Sequence, residues 1–473
     1  MTLRERLASA ASAEGGIIFT LGFIAGFPHY FYADLGWQLA EGRALWGGSF
    51  PTRLPEAIAA GPWIDHEWLF EALAWPFWAH AAWPVFAALC TALVATVPLL
   101  AVAIARRCGA SPFVANACGY LTIASAVTSY APRPQTIAEL CFALELLLLL
   151  GPLRRPWLAL PLAALWANVH GSVVLAPLLA AIVAAGHWIE SGQPSRKLIE
   201  AALWSLAGTL LSPLGIATWT SAAQFASRSD IIATSDWQPV SFSYPVEFFV
   251  LVTCGAALVA GGVPIVRRNA TALGLLGIFT ALWLLEARFL PFFGIAAVPA
   301  IAIALERSGW ETRRRRAART TRVAGGWLGL PLVVAVVATV LLRAPSSLQV
   351  DRDVLATDAL VRTSGFAGRL FAPFTAGGYL ELRGEPVAVL LDTHALPFGP
   401  QAWRDYATID AARSGWQSAL ARNAIAGVVA ADDGPLAAAL RADPHWRIAA
   451  SVDGQLLFTR RSRALQAPGS RAG

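Results

Sequence analysis

The sequence predicts a polytopic bundle of transmembrane helices, mainly α, followed by a small α/β domain. Hydrophobic residues make up 56% of the 473 positions, charged residues make up only 14%, and the mean hydropathy is +0.55. A soluble globular domain carries about 25% charged residues. The composition therefore excludes a soluble enzyme, a disordered chain and a secreted disulfide scaffold. Long apolar stretches end near residue 343, and the remaining tail of about 130 residues has the length of a domain.

About eleven stretches are long and apolar enough to cross a bilayer as helices, which takes roughly 17–25 residues each. They are 15–33, 82–105, 112–130, 136–152, 156–169, 171–188, 200–220, 246–265, 270–286, 289–305 and 324–342. The stretch 156–188 is ambiguous, since it could form two short spans or one long kinked helix. The small residues at 8–13 precede the first apolar core, so this span lacks the pattern of a cleaved signal.

The basic residues indicate how the spans are oriented. If the N-terminus is inside, the inner side holds 17 arginines and lysines and the short outer loops hold 6. Each inner loop then carries at least two of them. The positive-inside rule therefore predicts an inner N-terminus and an outer C-terminal domain. On this interpretation the net charge of +6 reports on topology and not on a nucleic-acid partner.

We expect three regions along the chain. They are a transmembrane domain 1–343 with a first outer loop 34–81, an extracytoplasmic α/β domain 344–461, and a disordered tail 462–473. Within the α/β domain, short apolar runs predict strands, and 400–422 and 434–442 predict helices. The runs are Ala388–Leu391, Gly427–Ala430 and Leu456–Thr459. The pair Gly377-Gly378 indicates a turn or tight packing.

The cysteines do not indicate a disulfide framework or a zinc site. All five lie in or beside apolar segments, and the C-terminal domain has none. None forms a C-x-x-C pair, which is the usual unit of such sites.

Polar side chains gather at the outer ends of the predicted spans. They are Asp34, His66, Glu67, Arg133, Asn168, His170, Asp236, Trp237, Glu286 and Arg288. The inner loops carry arginine without this mixture. Because polar groups at membrane depth are costly and often functional, the pattern predicts an outward-facing site of carboxylates, histidines and two isolated arginines.

Each of these residues also has a structural interpretation. Asp34 could cap a helix that begins at Leu35, and His66 with Glu67 could cap a helix at 66–79. An interfacial aromatic belt would account for four tryptophans, which are Trp37, Trp63, Trp68 and Trp237.

The remaining polar residues have similar alternatives. Arg133 and Arg288 could be snorkelling anchors at the membrane surface. Asn168 and His170 could be hydrogen-bonding groups between helices. The functional interpretation gains because all these groups recur on one face.

Several motifs resemble, in order, those of bacterial polytopic membrane proteins of the GT-C glycosyltransferase superfamily. The first two are D-x-x-W-x-L-A-x-G-R at 34–43 and W-x-x-H-E-W-L at 63–69. The later ones are RPQ at 133–135, WANVHG at 166–171, DWQP at 236–239, RFLPFF at 288–293, and GGYL at 377–380 with Asp392. The similarity covers nearly the whole chain.

The resemblance implies a GT-C fold and a polyprenyl-phosphate-linked sugar as donor, with transfer on the extracytoplasmic face. It also implies that an acidic residue just after the first span acts as the base or as the orienting group for the acceptor hydroxyl, and Asp34 matches that position. Many members carry an adjacent acidic pair there, whereas Leu35 follows here, so Glu41 or Glu67 would have to provide a second carboxylate. Helices at 35–45 and 66–79 would supply the two surface helices of the family's first outer loop.

The chemistry of inverting transfer fits the residue types. One carboxylate takes a proton from the acceptor while the phosphate of the donor leaves. The charge on that phosphate requires cations, and arginine matches phosphate geometry. We assign Asp34, Glu67 and His66 to catalysis, Arg133, Arg288 and His170 to the donor phosphate, and Trp37, Glu41, Asp236 and Trp237 to the acceptor or sugar.

The sequence indicates no definite cofactor. Carboxylates with histidines could bind a divalent metal, although their spacing matches no metal motif. The expected partners are a lipid-linked sugar donor, membrane lipid, and a glycan, lipid or protein acceptor, without nucleic acid. The expected location is the bacterial inner membrane. The alternatives are a transporter or flippase of lipid-linked sugars, which would need polar groups at mid-span, and a noncatalytic protein of envelope-polysaccharide assembly.

Overall fold

The computed structural model describes residues 13–27, 31–54, 56–58, 60–126, 131–226, 239–240, 245–261, 268–309 and 348–461. Within these ranges the chain is mainly helical and contains one five-stranded sheet. It forms two compact units. The first unit contains the described residues up to 27, from 64 to 226 and from 239 to 309, and the second contains 31–63 and 348–461.

Within the described residues, the regular secondary structure of the first unit is all helical. Its α-helices are α1 (Ala13–Gly26), α3 (Trp68–Ala79), α4 (Trp83–Val94), α5 (Val97–Arg107), α6 (Pro112–Ala126), α7 (Pro134–Leu149), α8 (Ala159–Ala167), α9 (Leu175–Ser191), α10 (Arg196–Thr209), α11 (Ala217–Ala226), α12 (Pro245–Gly261), α13 (Ala270–Leu285), α14 (Leu290–Ala296) and α15 (Val298–Arg307); α2 (Leu35–Trp46) belongs to the second unit. Short 3₁₀ turns at Pro156–Leu158, Gly171–Val174 and Ala287–Phe289 lead into α8, α9 and α14.

By length and composition, two helical stretches among the described residues could cross a membrane, Trp83–Arg107 and Gly171–Ser191. A third results if Ala287–Ala296 and Val298–Arg307, bent by 50°, form one span. The shorter apolar helices are Glu14–Gly26, Pro156–Ala167, Glu247–Val259 and Ala270–Leu285. These two or three helices are consistent with a membrane protein. The eleven predicted spans are not confirmed, and 324–342 lies outside the described residues.

The ambiguous stretch 156–188 contains two separate helices. Helix α8 ends at Ala167, and His170 has an extended backbone with φ −162° and ψ 139°. The interruption places the polar pair Asn168 and His170 between α8 and α9.

Buried aromatic side chains hold the helices of the first unit together. Phe142 of α7 and Phe279 of α13 meet edge to face at 5.1 Å, and Trp283 stacks on Phe293 at 4.9 Å. Trp166 is fully buried among them. Such pairs are worth about 0.5–1.5 kcal/mol each beyond the area they bury.

The second unit is an α/β fold. Its further elements are α16 (Arg352–Ser364), β1 (Gly368–Phe371), α17 (Gly377–Arg383), β2 (Val387–Val389), α18 (Pro400–Asp410), α19 (Trp416–Arg422), β3 (Gly427–Ala431), α20 (Pro435–Ala442), β4 (Trp446–Val452) and β5 (Gln455–Arg460). The strand order is β2-β1-β3-β5-β4. Strands β2, β1 and β3 are parallel, and β5 and β4 are antiparallel. The three predicted strand positions are confirmed, and β1 and β4 are additional.

The described residues between 31 and 63 are part of this α/β fold. The backbone of Val389 in β2 donates to the carbonyl of Glu56 at 2.7 Å and accepts from Ile58 at 2.8 Å. This pairing covers the edge of β2, which would otherwise leave unpaired backbone groups.

The glycine pair in the C-terminal domain makes a close helix crossing. A Cβ atom at Gly36 of α2 would lie 2.4 Å from the backbone of Gly378, and one at Gly378 would lie 2.8 Å from the backbone of Trp37. Only glycine therefore allows α2 and α17 to approach this closely. Arg43 fastens the same crossing, because its guanidinium donates to the carbonyls of Glu381 and Leu382 at the end of α17. The expectation of tight packing at this pair is confirmed.

Candidate active site

Two predicted catalytic residues, His66 and Glu67, lie on the short segment that leads into α3. Both side chains are largely buried. The Oε1 atom of Glu67 lies 3.7 Å from Nε2 of His66 and 3.6 Å from Nε2 of His170. The first unit thus brings together three predicted site residues as one carboxylate between two imidazoles.

The hydrogen bonds around His170 determine which ring nitrogen carries its proton. Trp166 Nε1, which can only donate, donates to Ser172 Oγ at 3.0 Å. Ser172 Oγ lies 2.8 Å from His170 Nδ1, and the backbone N–H of Ser172 donates to the same nitrogen at 3.1 Å. His170 Nδ1 is therefore an acceptor. The neutral ring carries its proton on Nε2 and presents this N–H to Glu67.

His66 has the opposite arrangement. Its Nδ1 lies 3.1 Å from the carbonyl oxygen of Ile64, which can only accept, so the neutral ring carries its proton there. Its Nε2 then faces Glu67 as an acceptor. A divalent cation could bind His66 Nε2 and Glu67 Oε1. His170 could bind the cation through Nε2 only if its proton moved to Nδ1, and Nδ1 could then no longer accept from Ser172. These two ligand atoms are fewer than the three protein ligands of a typical catalytic zinc site.

Asn168 fastens the two segments that carry these residues. Its Oδ1 accepts from Trp68 Nε1 at 3.0 Å, and its backbone carbonyl accepts from Leu69 at 3.1 Å. Its Nδ2 donates to the carbonyls of Ala164 and Leu211 at 2.7 and 2.8 Å. The structural interpretation of Asn168 is therefore confirmed, and it also sets the spacing of the cluster.

Gly171 allows the two imidazoles to approach. A Cβ atom at this position would lie 3.0 Å from Cδ2 of His66. The rings of His66 and His170 are 6.0 Å apart and inclined by 72°. The glycine in the WANVHG motif thus belongs to the geometry of the cluster.

Arg133 and Arg288 belong to the same electrostatic environment. Both side chains are half-buried. Burial lowers the pKa of His170 well below its usual value, and the charges of His66, Arg288 and Arg133 lower it further. His170 is therefore neutral at physiological pH. Arg133 precedes Pro134, the first residue of α7, and has an extended backbone with φ −135° and ψ 161°.

Asp34 lies in the second unit, immediately before α2. It occupies the N-cap position, but its side chain makes no capping hydrogen bond. The capping interpretation of Asp34 is therefore confirmed for its position and not for its side chain.

Trp37 and Glu41 lie on α2 and surround His394, a residue that the sequence did not single out. The ring of Trp37 stacks on His394 at 4.3 Å, and Trp63 meets its edge at 4.8 Å. His394 Nδ1 lies 2.7 Å from Asp392 Oδ1, and its Nε2 lies 3.3 Å from Glu41 Oε1. The second oxygen of Glu41 accepts from Trp63 Nε1 at 3.1 Å.

The two carboxylates keep His394 charged. Its side chain is fully buried, which by itself lowers its pKa, but Asp392 and Glu41 raise the pKa well above its usual value. The result is an imidazolium held between two carboxylates. The burial of Trp37 and Glu41 in this arrangement favours a role in holding α2 to the α/β fold over contact with a sugar.

Some residues of the site were not identified from the sequence, and two predicted ones lie outside the described residues. Ser172 and Trp166 were not proposed as site residues, although Trp166 and His170 stand four positions apart in one motif. The pattern Asp392-x-His394 was the available signal for the buried imidazolium. Asp236 and Trp237 lie outside the described residues.

No protein-family model matches the chain, and no curated protein matches its sequence. Among solved structures, it is similar to the Archaeoglobus fulgidus oligosaccharyltransferase in the apo form, with a TM-score of 0.58 and 9% identity over 88% of this chain and 69% of that chain. The form tethered through a disulfide bond to an acceptor peptide containing the NVT sequon gives 0.54 and 10% over 88% and 68%. At this identity the likeness concerns the fold alone. It supports the GT-C-like fold that the motifs imply.

Proposed function

We propose that this chain is a membrane glycosyltransferase that moves a sugar from a polyprenyl-phosphate-linked donor to an acceptor on the extracytoplasmic face. The main support is the buried cluster of Glu67, His66 and His170 in a chain with the fold of an oligosaccharyltransferase. A carboxylate with two imidazoles is a costly arrangement to bury without a purpose.

The donor phosphate is the substrate group that suits this environment. The positive charges of Arg133 and Arg288 both lower the pKa of His170. A guanidinium can hold two phosphate oxygens at once. The Nε2–H of neutral His170 faces Glu67 Oε1 at 3.6 Å, which is beyond hydrogen-bond distance, and can donate to a bound phosphate without adding a third positive charge. In this proposal the three residues stabilise the charge that develops on the departing phosphate.

The transfer step needs one carboxylate as base. The acceptor hydroxyl oxygen bonds to the anomeric carbon, the bond from that carbon to the phosphate oxygen breaks, and the phosphate leaves with the electron pair. We propose Asp34 as the group that takes the hydroxyl proton, on the strength of its place in the family motif just before α2. Glu67 is the proposed second carboxylate, which the sequence lacks beside Asp34.

The test is turnover by purified protein in lipid nanodiscs. A polyprenyl-phosphate-linked radiolabelled sugar and candidate glycan, lipid and peptide acceptors are added, and labelled product and released polyprenyl phosphate are measured together. The proposal expects both in equal amounts.

A parallel assay separates the transporter alternative. In proteoliposomes, a flippase moves intact lipid-linked sugar between leaflets without releasing polyprenyl phosphate. Translocation with no glycosyl transfer for any acceptor would overturn the proposed enzyme.

A further inference from the structure

A cavity lies in the first unit, away from the Glu67 cluster. Its volume is about 370 Å³, and it lies between the end of α7, the end of α9 and the starts of α10 and α13. Helix α9 begins next to the His170 segment and reaches this cavity at Glu190, and its 17 residues span about 25 Å. The two features therefore lie at opposite ends of one helix. We refer to this cavity as the inner cavity, because the arginine distribution assigns its loops to the inner side.

Two cations line the inner cavity. They are Lys197, the only lysine of the chain, and Arg268. Within the described residues, neither side chain makes a hydrogen bond or an ion pair. Neighbouring Arg196 differs, since it does not line the cavity and pairs with Glu200 at 2.8 Å.

The cavity also contains one carboxylate, and this group is already engaged. Glu190 Oε1 accepts from the backbone N–H of Thr271 at 2.8 Å, in the first turn of α13. A carboxylate in that position is stabilised by the helix dipole. It therefore neutralises the start of α13 more directly than it neutralises Lys197 or Arg268.

The deeper wall of the inner cavity is apolar. Leu149, Leu153 and Val183 line it and are themselves buried. A site with a cationic mouth and an apolar wall matches a molecule that has an anionic head and a hydrocarbon chain.

We propose that the inner cavity binds an anionic phospholipid, with its phosphate on Lys197 and Arg268 and its acyl chain along the apolar wall. The shared chemistry is a phosphate group, which a free phosphate could also supply. A lipid differs because the wall contributes to its binding.

The experiment uses the full-length protein in a zwitterionic detergent. Binding of three probes is measured by the shift in thermal unfolding midpoint and by native mass spectrometry. The probes are dioctanoyl phosphatidylglycerol, dioctanoyl phosphatidylcholine and glycerol phosphate. Binding is expected for phosphatidylglycerol and is expected to be much weaker for the other two.

The matched variants separate this site from general surface charge. Lys197→Gln/Arg268→Gln should weaken phosphatidylglycerol binding about 30-fold, since each basic side chain contributes roughly fivefold. Arg196→Gln, which changes the same charge type one residue away, should bind as the wild type does. Both cations are exposed, so neither variant should unfold.

Two results would overturn the proposal. Equal binding by the double variant and Arg196→Gln would mean that the cavity cations do not hold the lipid. Glycerol phosphate binding as tightly as phosphatidylglycerol would mean that the apolar wall contributes nothing and that the ligand is a free phosphate.

Discussion

The Oγ atom of Ser172 lies 2.8 Å from Nδ1 of His170, and this contact fixes the direction of a hydrogen-bond chain. The chain begins at Trp166 Nε1, passes through Ser172 Oγ, and leaves Nε2–H of His170 directed at Glu67. Because the indole N–H of Trp166 can only donate, the ring of His170 must present its own N–H to Glu67 at the other end of the chain.

Ser172→Ala should weaken use of the lipid-linked donor about 2- to 12-fold, which corresponds to the loss of one hydrogen bond. The backbone N–H of Ser172 still reaches Nδ1, so the effect should be partial. Donor KM is measured, together with the ¹⁵N resonances of His170, whose Nδ1 should shift when it loses the hydroxyl. Ser191→Ala, at the exposed far end of α9, is the control. An unchanged Nδ1 resonance would refute the hydrogen-bond chain.

Arg133→Lys and Arg288→Lys should each raise the donor KM while leaving expression and insertion intact. Lysine keeps the charge but cannot reproduce the planar fork that holds two phosphate oxygens. Arg154→Lys, on an exposed loop of the same unit, is the control and should have no effect. If both variants use donor as well as wild type does, these arginines are snorkelling anchors.

His394→Gln should destabilise the α/β unit by about 3–5 kcal/mol, because it leaves two buried carboxylates without their cation. The measurement is the thermal unfolding midpoint, with the proteolysis rate of the C-terminal domain as a second readout. His445→Gln is a matched control: His445 contacts Asp443 in the same Asp-x-His arrangement, at 2.8 Å, but is exposed. Equal effects of the two substitutions would mean that burial of the imidazolium does not matter.

The same residue predicts a pH dependence. The pKa of His394 is raised in the folded state. Its contribution to the free energy of unfolding is therefore complete below the unfolded pKa of 6.5 and is lost as the pH rises through the folded-state pKa. The wild type should therefore lose stability on alkaline titration relative to His394→Gln. A constant difference between the two proteins across that titration would contradict the charged state.

Gly378→Ala should cost about 1–3 kcal/mol of stability, the usual range for overpacking. The added Cβ would lie 2.8 Å from the backbone of Trp37 and would force α2 away from α17. Gly399→Ala is the control, because a Cβ there meets nothing within 4 Å. A Gly378→Ala protein that unfolds at the wild-type temperature would contradict the close crossing.

Local patterns of the sequence predicted most of the elements. The helices expected at 35–45 and 66–79 are Leu35–Trp46 and Trp68–Ala79. The helix expected at 400–422 is divided, because Ala412 and Gly415 adopt left-handed backbone conformations with φ 47° and 91°. A break of this kind is only weakly signalled by one glycine.

The candidate site was predictable only in part. His66, Glu67 and His170 were singled out because polar residues at span ends are costly, and that argument is local. The place of His394 between Glu41 and Asp392 depends on residues more than 350 positions apart, which no local pattern records. Ser172 was missed because a serine at the start of an apolar helix is common.

In the proposed function, a carboxylate drives glycosyl transfer. The most direct measurement compares turnover of a polyprenyl-phosphate-linked sugar by wild type, Asp34→Asn and Glu67→Gln in nanodiscs, with Glu200→Gln, a partly exposed carboxylate paired with Arg196, as the control. Removal of a general base typically lowers the rate about 10²–10⁴-fold, and the proposal expects this loss for Asp34→Asn, a clear loss for Glu67→Gln and wild-type turnover for Glu200→Gln. Wild-type turnover by correctly folded Asp34→Asn and Glu67→Gln would contradict the claim.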